Sequence, residues 1–576
     1  MFQTIIPFCR AILRRLCIGN TQTAGLFSLF QPGEYVNTTM MPVTELPKDY
    51  YLQNFCQMTD LVHQQYSDLL SDTESAWLQA FHQAPLDAQK LYVRLLMRKG
   101  PLFRLDKLNY GEISDIPNAA EALASLGLVE CLPTNVEHCC LLMTKPEMLN
   151  TFPGLMSSLS KTAIIEKLMD DRTNPLVVPS PFDVISVLGS DCLKTFLLLY
   201  FGNTHQDLAQ FVVSDLGIQK FENYAIDRTF RLFQTRDNID NWLLLAKINE
   251  RRREAEEQKD RKSIIALADK IPAAFTWPLL ETKRMRLINH IARDMEREKL
   301  DEEALNLYRQ SNIAPSRERQ VRLLMKAKRY DEAEMLTKKM LAMPLNEEET
   351  QVANKLAIQI SRKTHWDWDP PRAFQPREIV LDLNRAESRV EITVSDHFKK
   401  KGWNVFYIEN LLFNAVFGLF FWDIIYSPIQ GAFLNPFQLG PRDTFSSDFY
   451  IERKSAIDNR LSNMSSTFSD IYSIYDSKAG INNFWVNWSS IDKDIIRQLE
   501  ISLNQEQLTE IFKKILFDPK VNRSGFPDLF LVKDNDYLFL EVKGPGDSLR
   551  DNQLRWLSTF DTLKIKSAVC WVKYTS

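Results

Sequence analysis

The sequence predicts a multidomain protein that is mainly α-helical over its first two thirds and closes in an α/β domain. Three observations carry this. The chain has 576 residues, too many for one typical domain, so three or four are expected. Residues 282–362 alternate helix-like stretches at repeat-like spacing. Near the C-terminus, two runs of β-branched, aromatic and leucine residues, Leu529 to Val532 and Tyr537 to Val542, flank the polar stretch Lys533-Asp534-Asn535-Asp536, which is a hairpin signal.

In chain order, residues 1–46 form a leader with Arg10, Arg14 and Arg15 among apolar residues and no acid before Glu34. It reads either as an amphipathic targeting or surface segment or as an extended start upstream of Met40 and Met41. Residues 47–245 read as helical. A winged-helix-like unit is suggested by the basic helix Leu91 to Lys99 and by Ala119 to Leu123 leading into Gly127-Leu128-Val129. That basic helix, with Arg94, Arg98 and Lys99, is either a solvated face or a contact for DNA phosphates. Residues 150–225 look helical and compact, with a break at Pro179 to Pro181.

Residues 246–365 open on a mixed-charge helical face from Arg251 to Lys262. Comparable positions at Ala304 and Ala333, each just after an acidic helix start, then suggest a tetratricopeptide-like solenoid. Trp366 to Pro376, with Pro370, Pro371 and Pro376, reads as a linker into the α/β domain at 366–576. In that domain Tyr407 to Leu412, carrying Glu409, opens a long apolar helix, and Asn414 to Tyr426, interrupted by Asp423, reads as a buried helix.

Composition narrows the classes of function. Hydrophobic residues make up 45% and charged residues 25% of the chain, as in ordinary globular proteins. A net charge of −4 means that any nucleic-acid contact must come from local basic patches. Eight cysteines, scattered apart from Cys139-Cys140, and seven scattered histidines give neither a disulfide framework nor a zinc spacing. No apolar run is long enough to suggest a membrane span.

The hairpin carries the chemistry. A turn centred on Asp534 and Asn535 pairs Val532 with Tyr537 and Leu529 with Leu540, so Asp528 lies opposite Glu541. Side chains alternate faces along a strand, so Glu541 and Lys543 share one face while Leu540 and Val542 share the other. Opposed like charges destabilise a sheet, and a divalent cation with hard oxygen ligands offsets that repulsion. Lys543 is suited to position a water or steady a developing negative charge. Pro527 keeps the strand entry extended. Gly544-Pro545-Gly546-Asp547 ends the second strand and leads into a helix with Asp547 or Ser548 as N-cap. In the helical stripe Leu549, Gln553, Trp556, Phe560, Gln553 is the polar member that can face the acids. Together these features read as a metal-dependent phosphodiesterase site.

Pro527-Asp528, Glu541-Val542-Lys543 and Gln553 resemble the PD-(D/E)xK signature of restriction-endonuclease-like folds. The string from Gly525 through Gly544-Pro545 to Trp556 resembles the virus-type replication-repair nuclease (VRR-NUC) domain. Leu91 to Pro101 and Phe417 to Ile424 are similar to the Fanconi-associated nuclease family, and the resemblance spans about residues 47 to 576.

The resemblance implies a DNA-binding N-terminal region with a SAP-like portion, a repeat acting as an internal connector, and an α/β restriction-endonuclease-like nuclease domain. It implies Glu409, on the domain's first helix, as a third carboxylate beside Asp528 and Glu541, and the Val542 carbonyl as a further ligand of one or two Mg²⁺ or Mn²⁺ ions. Asp423 is the competitor to Glu409, with a structural role as its alternative. Lys520, Arg523 and Arg550 flank the acids as candidate phosphate contacts. Asn552 stands where some animal relatives carry a basic residue, so a terminal-phosphate pocket of their kind is not expected. Neither is a ubiquitin-binding zinc finger.

The expected activity is therefore that of a structure-specific DNA nuclease, a 5′-flap endonuclease and 5′-to-3′ exonuclease leaving 5′-phosphates. Its setting would be DNA repair, including interstrand crosslinks, with branched or flapped DNA as partner, in the cytoplasm or, in a eukaryote, the nucleus. The alternatives are a junction-resolving or restriction-type endonuclease on the same fold, and a non-catalytic DNA-binding helical-repeat scaffold.

Overall fold

A computed structural model of the chain describes residues 48–132, 142–152, 156–170, 182–206, 220–372, 374–384 and 388–575. The leader, Cys139-Cys140 and the expected break at Pro179 to Pro181 lie outside the described residues. Those from 48 onward belong to one compact unit.

The N-terminal part is built on helices α1 (Tyr50–Tyr66), α2 (Asp72–Gln83), α3 (Leu86–Leu96) and α4 (Ile116–Ser125). Ser71 caps α2 by accepting the Glu74 amide while Glu74 accepts the Ser71 amide, a reciprocal pair that fixes a helix start. Beside them lies a three-stranded antiparallel sheet of β1 (Leu102–Arg104), β2 (Val129–Leu132) and β3 (Val184–Val187), with β3 in the centre. The winged-helix-like reading is thus completed by a strand from a stretch expected to be only helical. The basic helix ends at Leu96, so Arg98 and Lys99 lie beyond it.

Helix α5 (Ser190–Phe201) ends at Gly202, whose φ is +67°. A Cβ there would meet Leu434 Cδ1 at 2.4 Å, so glycine lets a loop of the nuclease domain press against the N-terminal core. Helix α6 (Arg236–Glu257) runs through the expected boundary at 245/246, which is corrected accordingly. One hydrophobic core, with Phe55, Phe81, Trp242, Ile288, Tyr308 and Leu356 among its members, runs unbroken from α1 to the end of the repeat.

The repeat itself consists of α7 (Pro278–Arg297), α8 (Asp301–Tyr308), α9 (Ser316–Lys326), α10 (Tyr330–Ala342) and α11 (Glu347–Ser361). Each packs on its neighbours in the chain. Ala304 and Ala333, the positions matched by spacing, are both fully buried, because small side chains let successive helices approach closely.

The nuclease domain centres on a five-stranded mixed sheet in the order β4-β8-β7-β6-β5. Its strands are β4 (Glu378–Asn384), β5 (Asn404–Tyr407), β6 (Leu529–Lys533), β7 (Asp536–Lys543) and β8 (Ser567–Thr575). Strands β4, β8 and β7 run parallel, while β7, β6 and β5 pair antiparallel. Helix α12 (Val390–Lys400) covers one face through Val394 and Phe398, against Leu529, Leu531, Leu540, Val542 and Cys570. The other face packs Phe530 and Phe539 against α13 (Leu412–Phe420), α14 (Gln505–Phe517) and α15 (Asp551–Thr562). The apolar stretch from Asn414 to Tyr426 is two helices, α13 and a short one at Trp422–Ile425, separated at Phe421.

Candidate active site

The β6–β7 hairpin has the register that the sequence predicts. Val532 pairs with Tyr537 and Leu529 with Leu540, and Asp534 takes the positive φ of +52° at the turn. Period-two alternation sends Leu540 and Val542 into the α12 core and turns Glu541 and Lys543 to the other face. Asp528, one residue before β6, accepts a hydrogen bond from the Val542 amide on Oδ2 at 2.8 Å. The three charged groups are buried: Asp528 is 8%, Glu541 1% and Lys543 8% exposed. Lys543 Nζ lies 2.9 Å from Glu541 Oε1, and Gln553 Nε2 donates to the same oxygen at 2.5 Å. Glu541 Oε2 is buried with no hydrogen-bond partner.

Backbone clamps hold the segment before Asp528. Asn410 Oδ1 accepts from the amides of Gly525 and Phe526 at 2.7 and 3.1 Å. Phe526 is stacked between Phe413 and Trp556, with ring centroids at 4.7 and 4.0 Å. Gly525, at φ +97°, lies so near α15 that a Cβ would meet the Asn552 carbonyl at 2.7 Å. The helix after the hairpin starts with Arg550 as N-cap, not Asp547 or Ser548. Gln553 Oε1 accepts the Arg550 amide at 3.0 Å, while Asp547 Oδ2 accepts the Gly544 amide at 2.9 Å. Gln553 therefore ties its own helix start to Glu541.

Glu409 is not on a helix. It lies in the turn between β5 and α13 and is exposed, because its amide and that of Ile408 both donate to the Asp528 carbonyl, at 3.3 and 2.8 Å. Its carboxylate accepts from the Tyr407 hydroxyl. Sequence reading missed Glu391, in the first turn of α12, whose charge raises the pKa of Asp528, Glu541 and Tyr407 alike. No short motif marks Glu391; only the packing of α12 under the sheet brings it to the hairpin. Asp423 is paired with Arg460 at 2.7 Å, which supports its structural alternative.

The electrostatics are those of acids forced together. Asp528 is pushed up to about 8, first by burial and then by Glu541, against the pull of the Val542 amide. Burial also raises Glu541, against the pull of Lys543. Among the described residues no three acids stand close enough to enclose an ion, and Lys543 and Gln553 share the charge of Glu541. The donor set nevertheless suits a hard divalent cation: every candidate ligand is an oxygen, Glu541 Oε2 is unused, and the acids resist ionising without a positive partner.

The cations proposed for DNA differ in their availability. Arg94 is engaged, with Glu112 Oε1 at 2.6 Å and its guanidinium 3.9 Å above the Tyr51 ring, which corrects its reading as a free phosphate contact. Arg98 and Lys99 are exposed, with Arg98 donating to Tyr110. Lys520 and Arg550 are exposed, while Arg523 stacks 4.2 Å above Phe445.

A second set was not legible in the sequence. Lys283 on α7 lies 4.3 Å above the Trp242 ring and is lowered to about 8 by burial, then by Arg286 and Arg442. Burial lowers Arg442 as well. Burial, Lys283 and Arg253 lower His205. Arg286, Arg442, Arg253 and His205 remain solvent-exposed, so Lys283 stands among exposed cationic groups carried by α6, α7 and the loop with Arg442. None of the five has an ion-pair partner among the described residues.

Comparison with known proteins agrees with this geometry. Two family models match, "FAN1, HTH domain" at residues 49–130 and "VRR-NUC domain" at residues 464–574. A Fanconi-associated nuclease 1 homolog of Pseudomonas aeruginosa is 33% identical over 91% of this chain and 96% of its own length. The chain belongs to the Fanconi-associated nuclease 1 family. A homolog from Oryza sativa is 23% identical over 91% of this chain and 63% of its own length. The crystal structure of paFAN1 bound to 2-nucleotide 5′-flap DNA with a gap superposes with a TM-score of 0.77 at 31% identity, covering 93% of this chain and 100% of that one. The protein is thus a DNA nuclease, helical in its N-terminal part with a VRR-NUC domain at its C-terminus, and divalent-metal use is general for this fold. Among the described residues no helix is long and apolar enough to cross a membrane.

Proposed function

We propose that the protein is a structure-specific nuclease cutting 5′-flapped and recessed-end DNA and leaving 5′-phosphates, in DNA repair that includes interstrand crosslinks. The observation that carries the site assignment is the orphaned, buried Glu541 Oε2 beside Asp528 and Lys543. Asp528, Glu541 and the Val542 carbonyl, with Glu409 or Glu391, would hold Mg²⁺ or Mn²⁺. A bound ion would neutralise the phosphodiester, lower the pKa of a ligated water and stabilise the departing oxygen.

The remaining roles belong to the chain. Lys543 Nζ, at 2.9 Å from Glu541 Oε1, would orient the attacking water and donate to the charged phosphate oxygen. Gln553 keeps Glu541 aimed into the site through its hydrogen bond to Oε1. The Val542 amide holds Asp528 in place through Oδ2. The exposed Lys520 and Arg550 would take phosphates flanking the cut, while Lys283, Arg286, Arg442 and Arg253 would line a path for the backbone of the DNA. Substrate choice then rests on shape and phosphate positions, not on base sequence.

The test is cleavage of an end-labelled 5′-flap oligonucleotide duplex with Mg²⁺ or Mn²⁺. Incision near the junction, a 5′-phosphate product and loss of activity with excess chelator are expected. Ca²⁺ alone should fail, since it prefers a larger, less strictly octahedral shell. Sequence-specific cutting of unbranched duplex would instead point to a restriction-type enzyme, and cleavage in excess chelator would remove the metal from the argument.

A further inference from the structure

The registers of the sheet put a part-exposed tryptophan next to the catalytic lysine. Lys543 pairs with Trp571 in β8, and Trp571 pairs with Val380 in β4. Registered neighbours point to the same side of a sheet, so Lys543, Trp571 and Val380 form one row on the face that carries Glu541. The residues flanking that row confirm its side. Val542, Cys570 and Ile379, one position earlier on each strand, pack with the α12 core on the opposite face.

Unlike its strand neighbours, Trp571 joins neither core of the domain. It is part-exposed, and Val380 is 50% exposed at the edge of the sheet. The indole N–H is already used, donating to Glu378 Oε1 at 3.0 Å. What Trp571 can still offer a ligand is therefore apolar and aromatic surface, not a hydrogen bond. Scattered exposed apolar residues need no explanation, but this pair adjoins, in register, the lysine of the cleavage site.

We infer that Trp571 and Val380 form a stacking subsite for an unpaired nucleobase of the DNA strand being cut. The inference rests on the nuclease reading above. A nucleobase is the occupant that matches. The strand's phosphate is drawn to Lys543 and to the divalent cation that the acids would hold, and a base attached one or two sugars away reaches the neighbouring row. Lys573, on the same face as Trp571 and paired with Asp382, is placed to meet the next phosphate. With its N–H occupied, the tryptophan reads no base edge, so the contact tolerates any sequence. That agrees with a nuclease that selects by strand shape, since only an unstacked base can lie on the ring.

The experiment uses the full chain and a 5′-flap duplex in which one nucleotide at a time near the incision is replaced by 2-aminopurine or by an abasic residue. One 2-aminopurine position should be quenched on binding to Asp528→Ala protein, and the quench should vanish when Trp571→Ala is added. Steady-state cleavage by Trp571→Ala should show KM raised about 10-fold or more, with the effect on KM rather than kcat, while Trp571→Phe keeps most of the affinity. An abasic residue at the quenched position should bring the wild type to the level of Trp571→Ala and leave the variant little altered. Val380→Glu, on an exposed edge, gives the same KM effect without removing a large side chain.

Quenching that survives Trp571→Ala, or an equal loss on abasic and normal substrates, overturns the subsite. So does a dimer that dissociates in Val380→Glu, which would make this edge a self-interface. A wild type that cuts no flapped substrate sinks the nuclease reading instead, so the two failures are told apart.

Discussion

The Lys543 ammonium lies 2.9 Å from Glu541 Oε1, two residues along the same strand. The lysine thus stands in for positive charge that the acid pair needs. Replacing Asp528, Glu541 or Lys543 by alanine should each lower cleavage at least about 100-fold, the scale on which single transition-state contacts act. Folding and flap binding should largely persist, measured by circular dichroism and fluorescence anisotropy. A fully active Glu541→Ala protein would contradict the site assignment.

The pH behaviour follows from Asp528. Its carboxyl is at about 8 in the folded metal-free protein against 3.8 for the free group. A raised carboxyl pKa means that the folded state binds the proton more tightly than the unfolded state does. Its contribution to stability is therefore present at low pH and lost as pH rises from about 4 to about 8. In the presence of chelator the melting temperature should fall across that window, and Asp528→Asn should flatten the fall. Metal affinity should run the other way, rising up to about pH 8, because the ion competes with the proton.

The hairpin was legible because its information is local. Strand alternation fixed which residues share a face, and the two-residue turn fixed the register, so Asp528, Glu541, Lys543 and Gln553 fall where the sequence puts them. Glu409 was placed on a helix because the apolar run after it is helical. The tie between its amide and the Asp528 carbonyl is a tertiary contact that no local pattern announces. Glu391 and Lys283 were invisible for a related reason, since each looks like any charge on a solvated helix until another element packs beside it. Arg94 erred in the opposite sense: its basic surroundings suggested DNA, and folding gave it Glu112 and Tyr51.

Glu391 and Glu409 can be separated by their metal response. Both charges act on Asp528 and Glu541, so Glu391→Gln and Glu409→Gln should each relieve repulsion and slightly stabilise the metal-free fold. The variant that removes a ligand should also raise the Mn²⁺ concentration for half-maximal cleavage and weaken Mn²⁺ binding by calorimetry. An equal, negligible shift for both would remove them from the metal shell.

Gly525 supports Asp528 without touching substrate. Alanine there meets the Asn552 backbone at 2.7 Å and must hold a φ of +97°, so Gly525→Ala should cost roughly 1–3 kcal/mol. Cleavage should fall with little change in flap affinity. Unchanged stability in chemical denaturation would show that the loop and α15 can separate freely.

The two kinds of arginine and lysine predict opposite signs, which makes the DNA path testable. Arg286 and Arg442 both act against the charge of Lys283 and no carboxylate offsets them, so Lys283→Gln trades its contact over Trp242 for relief of repulsion and should hold or raise the melting temperature. The same change should weaken flap binding, and its salt dependence should become shallower by about 0.9 in log–log slope for one lost phosphate contact. Arg442→Gln should make the salt slope shallower in the same way but lower the melting temperature, because it also loses the attraction of Asp443, Asp448 and Glu452 and the bond to the Gly431 carbonyl. Arg94→Gln breaks the pairing with Glu112 and the stacking on Tyr51, so it should lower stability and leave the salt slope unaltered. Thermal melts and anisotropy titrations at several salt concentrations measure both quantities on the same proteins. If Lys283→Gln destabilises the fold and leaves the slope intact, the cationic cluster is structural and the DNA must run elsewhere, with Lys520 and Arg550 as its remaining candidate contacts.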